Sequence, residues 1–547
     1  MTSSLKIALA QMNQRVGDLE GNAAAILEMR RRAKDADLLL CPELQLIGYP
    51  PEDLVLKPEF VRRAMEWTER LVEATIEPGP AVLIGAVIAQ GGVNYNAMLL
   101  AGGGKILGRV LKHELPNYGT FDEKRIFAPG PLPTPIEFRG VKLGIAICED
   151  IWQEIVCAHL AEAGAEMLLV PNGSPYELDK DELRQRLVRA RVLETELPLA
   201  YLNRVGGQDE LAFDGSSFVM HPDGALVVQM PDWVEDLLIT DWAHTSDGWR
   251  CQTKVLHELD HFPEDVYQAM TIALRDYVVG NGFRGVILGL SGGIDSALSA
   301  AVAVDALGPD KVRCVMLPSK YTSVESLDDA SECARLLGCR HDVISIAPGV
   351  DALDRMLPDM SGLAAENVQA RLRMVALMAL SNSSGEMLLT TGNKSEMSVG
   401  YATLYGDMAG GYSVLKDAYK TTVFALSRWR NANKPERALG PDGPVMPERV
   451  ITKPPTAELR PGQKDEDSLP PYSVLDRILE GLVDREMSVK EVANATGEHP
   501  ALVGDIESKV LKAEYKRRQA PPGVKIGSRN FGRDRRYPIS NFFRSGA

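Results

Sequence analysis

Residues 285–297 read GVILGLSGGIDSA. The first six form an apolar run of strand length, and the glycine turn that follows opens a helix over 296–306. Gly292 and Gly293 allow backbone amides to turn inward, and the helix N-terminus adds its positive dipole end, so the loop is a cradle for phosphate. Ser291 and Ser296 can donate hydroxyls to the same oxygens. Asp295 suits such a place only with a cation between it and the phosphates, so Mg²⁺ is implied. Neither GxGxxG nor GxxxxGK[ST] is present, which points away from the uses those two loops signal.

Outward from this loop, helical periodicity over 264–279 precedes it, and a strand (312–317), a helix (326–337) and a further strand (387–390) follow. This alternation predicts an α/β domain with a doubly wound parallel sheet whose ligands lie at the carboxyl ends of the strands. Residues 390–417, TTGNKSEMSVGYATLYGDMAGGYSVLKD, set Lys394, Glu396, Asp407 and Lys416 among glycines. Acidic residues beside lysines suit a metal–triphosphate site. ENVQARLRM (366–374) starts a helix, and either Arg371 or Arg373 could meet phosphate. The Pro-, Gly- and charge-rich stretch 431–467 reads as a long loop of the kind that serves as a lid.

The first ~245 residues alternate short apolar strands (6–10, 38–41, 82–88, 97–100, 142–147, 167–171 and 199–203) with polar or helical connections, a second layered α/β domain. Periodicity fades over 247–263. The expected division is therefore a domain at 1–246, a linker at 247–263 and a domain at 264–547.

Cys148 ends the strand 142–147, where a sharp turn can present a thiol nucleophile. Taken singly, a cysteine at a strand end is more often buried packing. Glu43, just beyond the strand 38–41, can take the thiol proton, and Lys112 can stabilise both a thiolate and the oxyanion of a tetrahedral intermediate. Those are the three tasks of amide cleavage.

Two further patterns are set aside. His257-Glu-Leu-Asp-His261 matches HExxH, but Pro263 follows at once, and a zinc protease needs both histidines on one helix face. Gly102-Gly-Gly-Lys105 between two strands is a hairpin turn.

The 547 residues imply about two to four domains, and 45% hydrophobic with 25% charged residues is a globular composition. A net charge of −15 argues against sequence-independent binding to nucleic acid. The basic C-terminal stretch from Lys516 to Arg544 is either a solvated tail or a closing segment over an anionic small molecule. Seven cysteines without CxxC spacing fit a reducing compartment. Residues 1–14 lack a signal-peptide pattern, and no apolar run nears the ~20 residues that span a bilayer. A cytoplasmic location follows as the expectation.

CPELQLIGYPPEDL (41–54), KHELPNYGTFDEKRIF (112–127) and GIAICEDIW (144–152) closely resemble the three blocks of the nitrilase, or carbon–nitrogen hydrolase, superfamily in its glutaminase branch. That resemblance implies an α-β-β-α sandwich, with Glu43 as base, Lys112 as oxyanion partner and Cys148 as nucleophile. It further gives Glu123 as a supporting acid, Tyr118 as a pocket wall, and Ser174 and Arg191 at the amino-acid end of glutamine.

SGGIDS resembles the signature of the N-type ATP pyrophosphatases, of the adenine nucleotide alpha hydrolase-like, Rossmann-like fold. Together with PSKYTS (318–323), NVQARLR, GNKSE, GDMAGG and KPPTAEL (453–459), it resembles the NAD synthetase family in its glutamine-dependent form. The implied reaction releases ammonia from glutamine, adenylates deamido-NAD⁺ with ATP and amidates it. By that match Ser291, Gly292, Gly293, Asp295, Ser296 and Thr391 hold ATP, and Asp295 and Glu396 hold Mg²⁺. Arg371, Asn393, Asp407, Lys416 and Lys453 meet deamido-NAD⁺, its adenylate or pyrophosphate. An ammonia tunnel and homo-oligomers built on synthetase-domain dimers, up to octamers, are also implied. The residues alone leave open another acceptor, such as a different carboxylate, or a regulatory nucleotide-binding protein with idle catalytic groups.

Overall fold

The computed structural model describes residues 4–543, and the chain divides into two compact units that meet between Asp260 and His261. Arg544, the last of the basic C-terminal residues, lies outside the described residues.

In the first unit, one seven-stranded sheet runs in the order Gly248–Cys251, Asp236–Thr245, Ser4–Gln11, Leu38–Leu40, Ala81–Gln90, Val93–Gly102, Lys105–Leu111. The second sheet runs Val255–Leu256, Leu226–Gln229, Phe218–Met220, Leu199–Asn203, Met167–Asn172, Val141–Ile145, Ile136–Phe138. Each sheet has a parallel centre and antiparallel edges, save for one short parallel edge strand, Val255–Leu256.

Side chains alternate between faces with the period of two that strands impose. Ile7, Leu9, Leu38 and Leu40 enter a core shared with Leu143, Ile145, Met167 and Leu169 of the second sheet. Ala8, Ala10 and Leu39 face the other way, toward Ile26, Val61 and Leu71 of the helices Leu19–Arg32 and Pro58–Ala74. Leu168 and Val170 meet Val156, Leu160, Val188 and Val192 of the helices Glu154–Glu162 and Lys180–Thr195. The result is the expected α-β-β-α sandwich.

Residues 247–263, read as a linker, carry Gly248–Cys251 and Val255–Leu256, each the edge strand of one sheet. Residues 257–263 form no helix, so the two histidines of the HExxH pattern share no helix face. Gly103 and Gly104 turn the hairpin between Val93–Gly102 and Lys105–Leu111 with φ of +58° and +76°, a two-residue turn that favours glycine.

In the second unit the sheet is wholly parallel, in the order Arg340–Val343, Val312–Met316, Val286–Gly289, Met387–Thr390, Tyr412–Ser413. All strands run the same way, but the order in which they are added reverses between Val286–Gly289 and Met387–Thr390: the chain first builds outward to Arg340–Val343 and then returns to the other side. A doubly wound sheet opens its ligand crevice there, outside the carboxyl ends of those two strands. The helix predicted over 296–306 begins two residues earlier, as Ile294–Leu307, and ENVQARLRM lies inside a longer helix, Leu363–Ser384. The loop over 431–467 is broken by a short helix, Glu448–Thr452.

The C-terminal bases are largely spent inside the unit. Lys516 caps the carbonyls of Gly400 and Ala402, Arg517 those of Met397 and Ser398, and Lys525 pairs with Asp534. Among the described residues this stretch is a folded strap and not a solvated tail.

Candidate active sites

The first site lies where both sheets of the first unit end. Leu38–Leu40 delivers Glu43, Lys105–Leu111 delivers Lys112, and Val141–Ile145 delivers Cys148. Glu43 and Lys112 are fully buried and bonded, Nζ to Oε1 at 2.7 Å. Asn96 Nδ2 also donates to Oε1 at 2.7 Å, and the Gly173 amide donates to Oε2 at 2.9 Å, so both carboxylate oxygens are held. Lys112 Nζ reaches Glu123 Oε1 at 3.0 Å, and Tyr49 donates to that same oxygen at 2.8 Å. Glu123 Oε2 is buried without a partner.

Cys148 sits at φ +48°, a left-handed backbone that costs a non-glycine residue on the order of 1–3 kcal/mol. Such strain persists where the surroundings enforce it. Burial and the Glu43 carboxylate push the thiol pKa well up, and Lys112 opposes them without prevailing. The resting group is therefore a thiol that needs a base. Burial works against charge on Lys112, yet Glu123, Glu43 and Cys148 hold its pKa above the ordinary lysine value. Burial lifts the Glu123 carboxyl to about 7 against the pull of Lys112. A held carboxylate, a fixed ammonium and a buried, left-handed turn bearing a thiol can carry acyl transfer.

Of the residues expected at the amino-acid end, Tyr118 is half-exposed and donates to both carboxylate oxygens of Glu149. Ser174 is buried next to Gly173, its amide on Asn203 Oδ1. Arg191 is turned toward Glu194, and its charge acts on Cys157 of the helix Glu154–Glu162. The arginine at Ser174 is Arg184, seven residues or about two helical turns earlier on the same helix and paired with Asp214.

The second site is a cavity of about 290 Å³ at the crevice of the parallel sheet, lined by Ser291, Gly293, Asp295, Ser296, Thr391 and Glu396 among others. Ser296 Oγ accepts from the Ser291 amide at 3.1 Å and donates to Gly293 O at 2.9 Å, which closes the loop on itself. Gly292 has φ +78°, and a Cβ there would stand 2.4 Å from Ser326 O, so the turn excludes any larger residue.

Asp295 and Glu396 converge on one buried ammonium, that of Lys420: Oδ2 of Asp295 bonds it, and Glu396 Oε1 lies at 3.2 Å. Burial raises Glu396 to about 8, with Asp295 and Asp465 adding to the rise and Lys420 opposing it. Asn393 donates to Asp295 Oδ1 at 2.9 Å and caps the helix Lys394–Val399, so it orients the aspartate. Asp407 lines the cavity and accepts from the Thr403 amide. Lys453 lines it too, tied to Asp329 at 2.9 Å. Lys416 borders a neighbouring small hollow with Asp407 and Glu396. Arg371 points to Leu404 O, and it is Arg373 that lines the cavity.

Asn96, Lys420 and Arg184 escaped the sequence reading. Asn96 left a usable signal, a polar residue in the apolar strand run NAMLLA. Lys420 left none, being one of two lysines in LKDAYK (415–420).

Residues 6–250 match the carbon-nitrogen hydrolase family and residues 266–520 the NAD synthase family. The chain is 48% identical to a glutamine-dependent NAD(+) synthetase of Rhodobacter capsulatus over the full length of both. It is 44% identical to one of Acinetobacter baylyi over 99% of each. Among solved structures, the glutamine-dependent NAD⁺ synthetase of Acinetobacter baumannii in complex with ADP is 40% identical, with a TM-score of 0.77, over 98% of this chain and 99% of that one.

Proposed function

Because the chain belongs to the glutamine-dependent NAD⁺ synthetase family, we infer that it is a ligase that hydrolyses glutamine in its first unit and uses the ammonia to make NAD⁺ in its second. The observation that carries this reading is the presence, in one chain, of a buried Glu43–Lys112 pair beside Cys148 and a glycine-turn cavity at the crevice of a parallel sheet.

In the first unit Glu43 removes the Cys148 proton as the thiolate attacks the side-chain amide of glutamine. Lys112, fixed by Glu43 and Glu123, stabilises the oxyanion, and its neighbours return a proton to the departing ammonia. Water then hydrolyses the thioester by the same base, releasing glutamate. In the second unit the nicotinate carboxylate of deamido-NAD⁺ attacks the α-phosphate of ATP and expels pyrophosphate. Ammonia then displaces AMP from the mixed anhydride to give NAD⁺.

The Acinetobacter baumannii relative was solved in complex with ADP, which supports an adenine nucleotide as a ligand of this chain. The loop 291–296 and Thr391 would hold its phosphates, and Asp407, Lys453, Lys416 and Arg373 offer contacts for the second substrate. Mg²⁺ fits the residues present: Asp295 and Glu396 already converge on a cation, the Lys420 ammonium. No cluster of three His, Cys, Asp or Glu side chains among the described residues could hold a metal alone, so ATP phosphates would complete its shell. When bound, Mg²⁺ neutralises triphosphate charge. No described helix is long and apolar enough to cross a membrane, and a cytoplasmic homo-oligomer joined through synthetase units is the assembly proposed.

The test is NAD⁺ formation from deamido-NAD⁺, ATP and Mg²⁺ with glutamine and separately with ammonium. Activity with both supports the reading. Glutamine hydrolysis without NAD⁺ from either donor would reassign the acceptor to another carboxylate.

A further inference from the structure

Lys112 and Cys148 belong to different sheets, and between sheets there is no ladder of backbone hydrogen bonds to set their relation. The two sheets meet through apolar side chains, which are non-directional. One side chain bridges the two backbone segments. Asp150, wholly buried, accepts through Oδ1 from the amides of His113 at 3.0 Å and Glu114 at 2.7 Å. Through Oδ2 it accepts from the amide of Ile147 at 2.8 Å.

We propose that Asp150 is a positioning residue for the glutaminase reaction, a carboxylate clamp that ties the chain just after Lys112 to the chain just before Cys148 and so sets the ammonium-to-thiol geometry. The inference rests on the reading of Cys148 and Lys112 as catalytic, and adds to it the group that holds them in register.

The clamped amides are covalent neighbours of the two functional residues: His113 follows Lys112, and Ile147 precedes Cys148. The turn 147–150 is closed twice, by the Asp150 carboxylate on the Ile147 amide and by the Asp150 amide on Ile147 O at 3.0 Å. This double closure is what keeps Cys148 in its left-handed backbone at φ +48°, a conformation that must be imposed from outside the residue. Three amide donors also satisfy a carboxylate that would otherwise be costly to bury, and its loss would orphan all three.

The geometry requires a carboxylate. Asparagine has nearly the same shape but one acceptor oxygen, so it can serve either His113 and Glu114 or Ile147, and it turns an N–H toward the amide it fails to serve. The residue therefore offers a test that leaves packing volume almost unchanged.

The full chain carrying Asp150→Asn is compared with the parent for glutamine hydrolysis, for alkylation of Cys148 by iodoacetamide, and for NAD⁺ formation from ammonium chloride. Displacement of a catalytic group by about 1 Å costs on the order of 100-fold in rate. The expected result is a kcat for glutamine hydrolysis lower by on the order of 100-fold, with KM within about threefold of the parent. Cys148 alkylation should change as well, ammonium-supported synthesis should be retained, and the first unit should still fold, melting a few degrees lower for the buried amide left unserved. A kcat within about threefold of the parent overturns the proposal. So does a loss expressed in KM alone, or a loss of ammonium-supported synthesis or of folding, since Asp150 would then serve binding or the fold. Failure of the underlying reading is distinguishable: a parent without glutaminase activity, or one that keeps it as Cys148→Ala, removes the catalytic assignment itself.

Discussion

Lys112 and Glu43 form a fully buried ion pair, Nζ to Oε1 at 2.7 Å, and the same ammonium reaches Glu123 at 3.0 Å. One cation therefore holds two carboxylates in a region closed to water. Removing it leaves both uncompensated, and breaking a buried pair from one side costs about 3–5 kcal/mol. Lys112→Met is expected to destabilise the first unit by that order and to abolish glutamine hydrolysis. Glu43→Gln keeps the shape and removes the base, so hydrolysis should fall by about 10²–10⁴. Ammonium-supported NAD⁺ synthesis, assayed beside each, should survive Glu43→Gln.

Lys420 has the corresponding position in the second unit, between Asp295 and Glu396. Lys420→Met should weaken both glutamine- and ammonium-supported synthesis while glutamine hydrolysis continues. It should also lower the melting temperature of the second unit, because two partly buried carboxylates lose their counter-ion. Parallel assays of the two half-reactions with a thermal melt check this, and equal loss of hydrolysis would contradict it.

Gly292 and Gly293 are adjacent and should respond differently to alanine. At Gly292 the backbone has φ +78° and a Cβ would lie 2.4 Å from the Ser326 carbonyl oxygen. At Gly293 the φ is −91° and the nearest atom is the movable Ser291 Oγ at 3.3 Å. Gly292→Ala carries a left-handed penalty of about 1–2 kcal/mol plus a backbone displacement. It should raise the KM for ATP by about tenfold or more, whereas Gly293→Ala changes it less. Ammonium-supported kinetics of the two variants decide the point.

Asp232 introduces a pH dependence in the first unit. Burial, with Asp260 nearby, lifts its carboxyl to about 7. Between about pH 4 and 7 the folded chain thus retains a proton that the unfolded chain has released, so this group's contribution to stability declines as pH rises through that window. Asp232→Asn cannot ionise and keeps an acceptor for the Asp260 amide, which donates to Oδ2 at 2.8 Å. Relative to the parent, the variant should gain on the order of 1 kcal/mol, or about 2–4 °C in melting temperature, on going from pH 5 to pH 7.5. A gap between the two proteins that does not widen with pH would contradict the argument.

Much of this architecture is legible locally. Apolar runs of strand length mark the central strands because a buried strand needs little more than apolar side chains at the right period. Edge strands such as Lys105–Leu111 and Gly248–Cys251 were less visible, since their exposed faces dilute the pattern. Glu43 and Cys148 were legible because each stands just past a readable strand in a distinctive block, and Lys112 because its block is distinctive although the strand before it is not. Arg191 and Arg371 illustrate the opposite case. On a helix, a shift of two residues turns a side chain to another face, and so Arg373 and not Arg371 lines the cavity; Arg184 and Arg191, seven residues apart, share a face two turns apart, and only Arg184 lies level with Ser174.

By itself the sequence determined the two α/β units, the glycine turn before the helix Ile294–Leu307 and the thiol–carboxylate–ammonium set, because strand period, glycine placement and motif order are properties of short segments. Only the tertiary structure decided that Lys420 pairs with Asp295 across 125 residues, that Asn96 holds Glu43 across 53, and that Asp150 joins the backbones beside Lys112 and Cys148. Those relations arise where separate elements pack, and burial selects among chemically equivalent side chains according to which one can satisfy a charge or an amide already enclosed there.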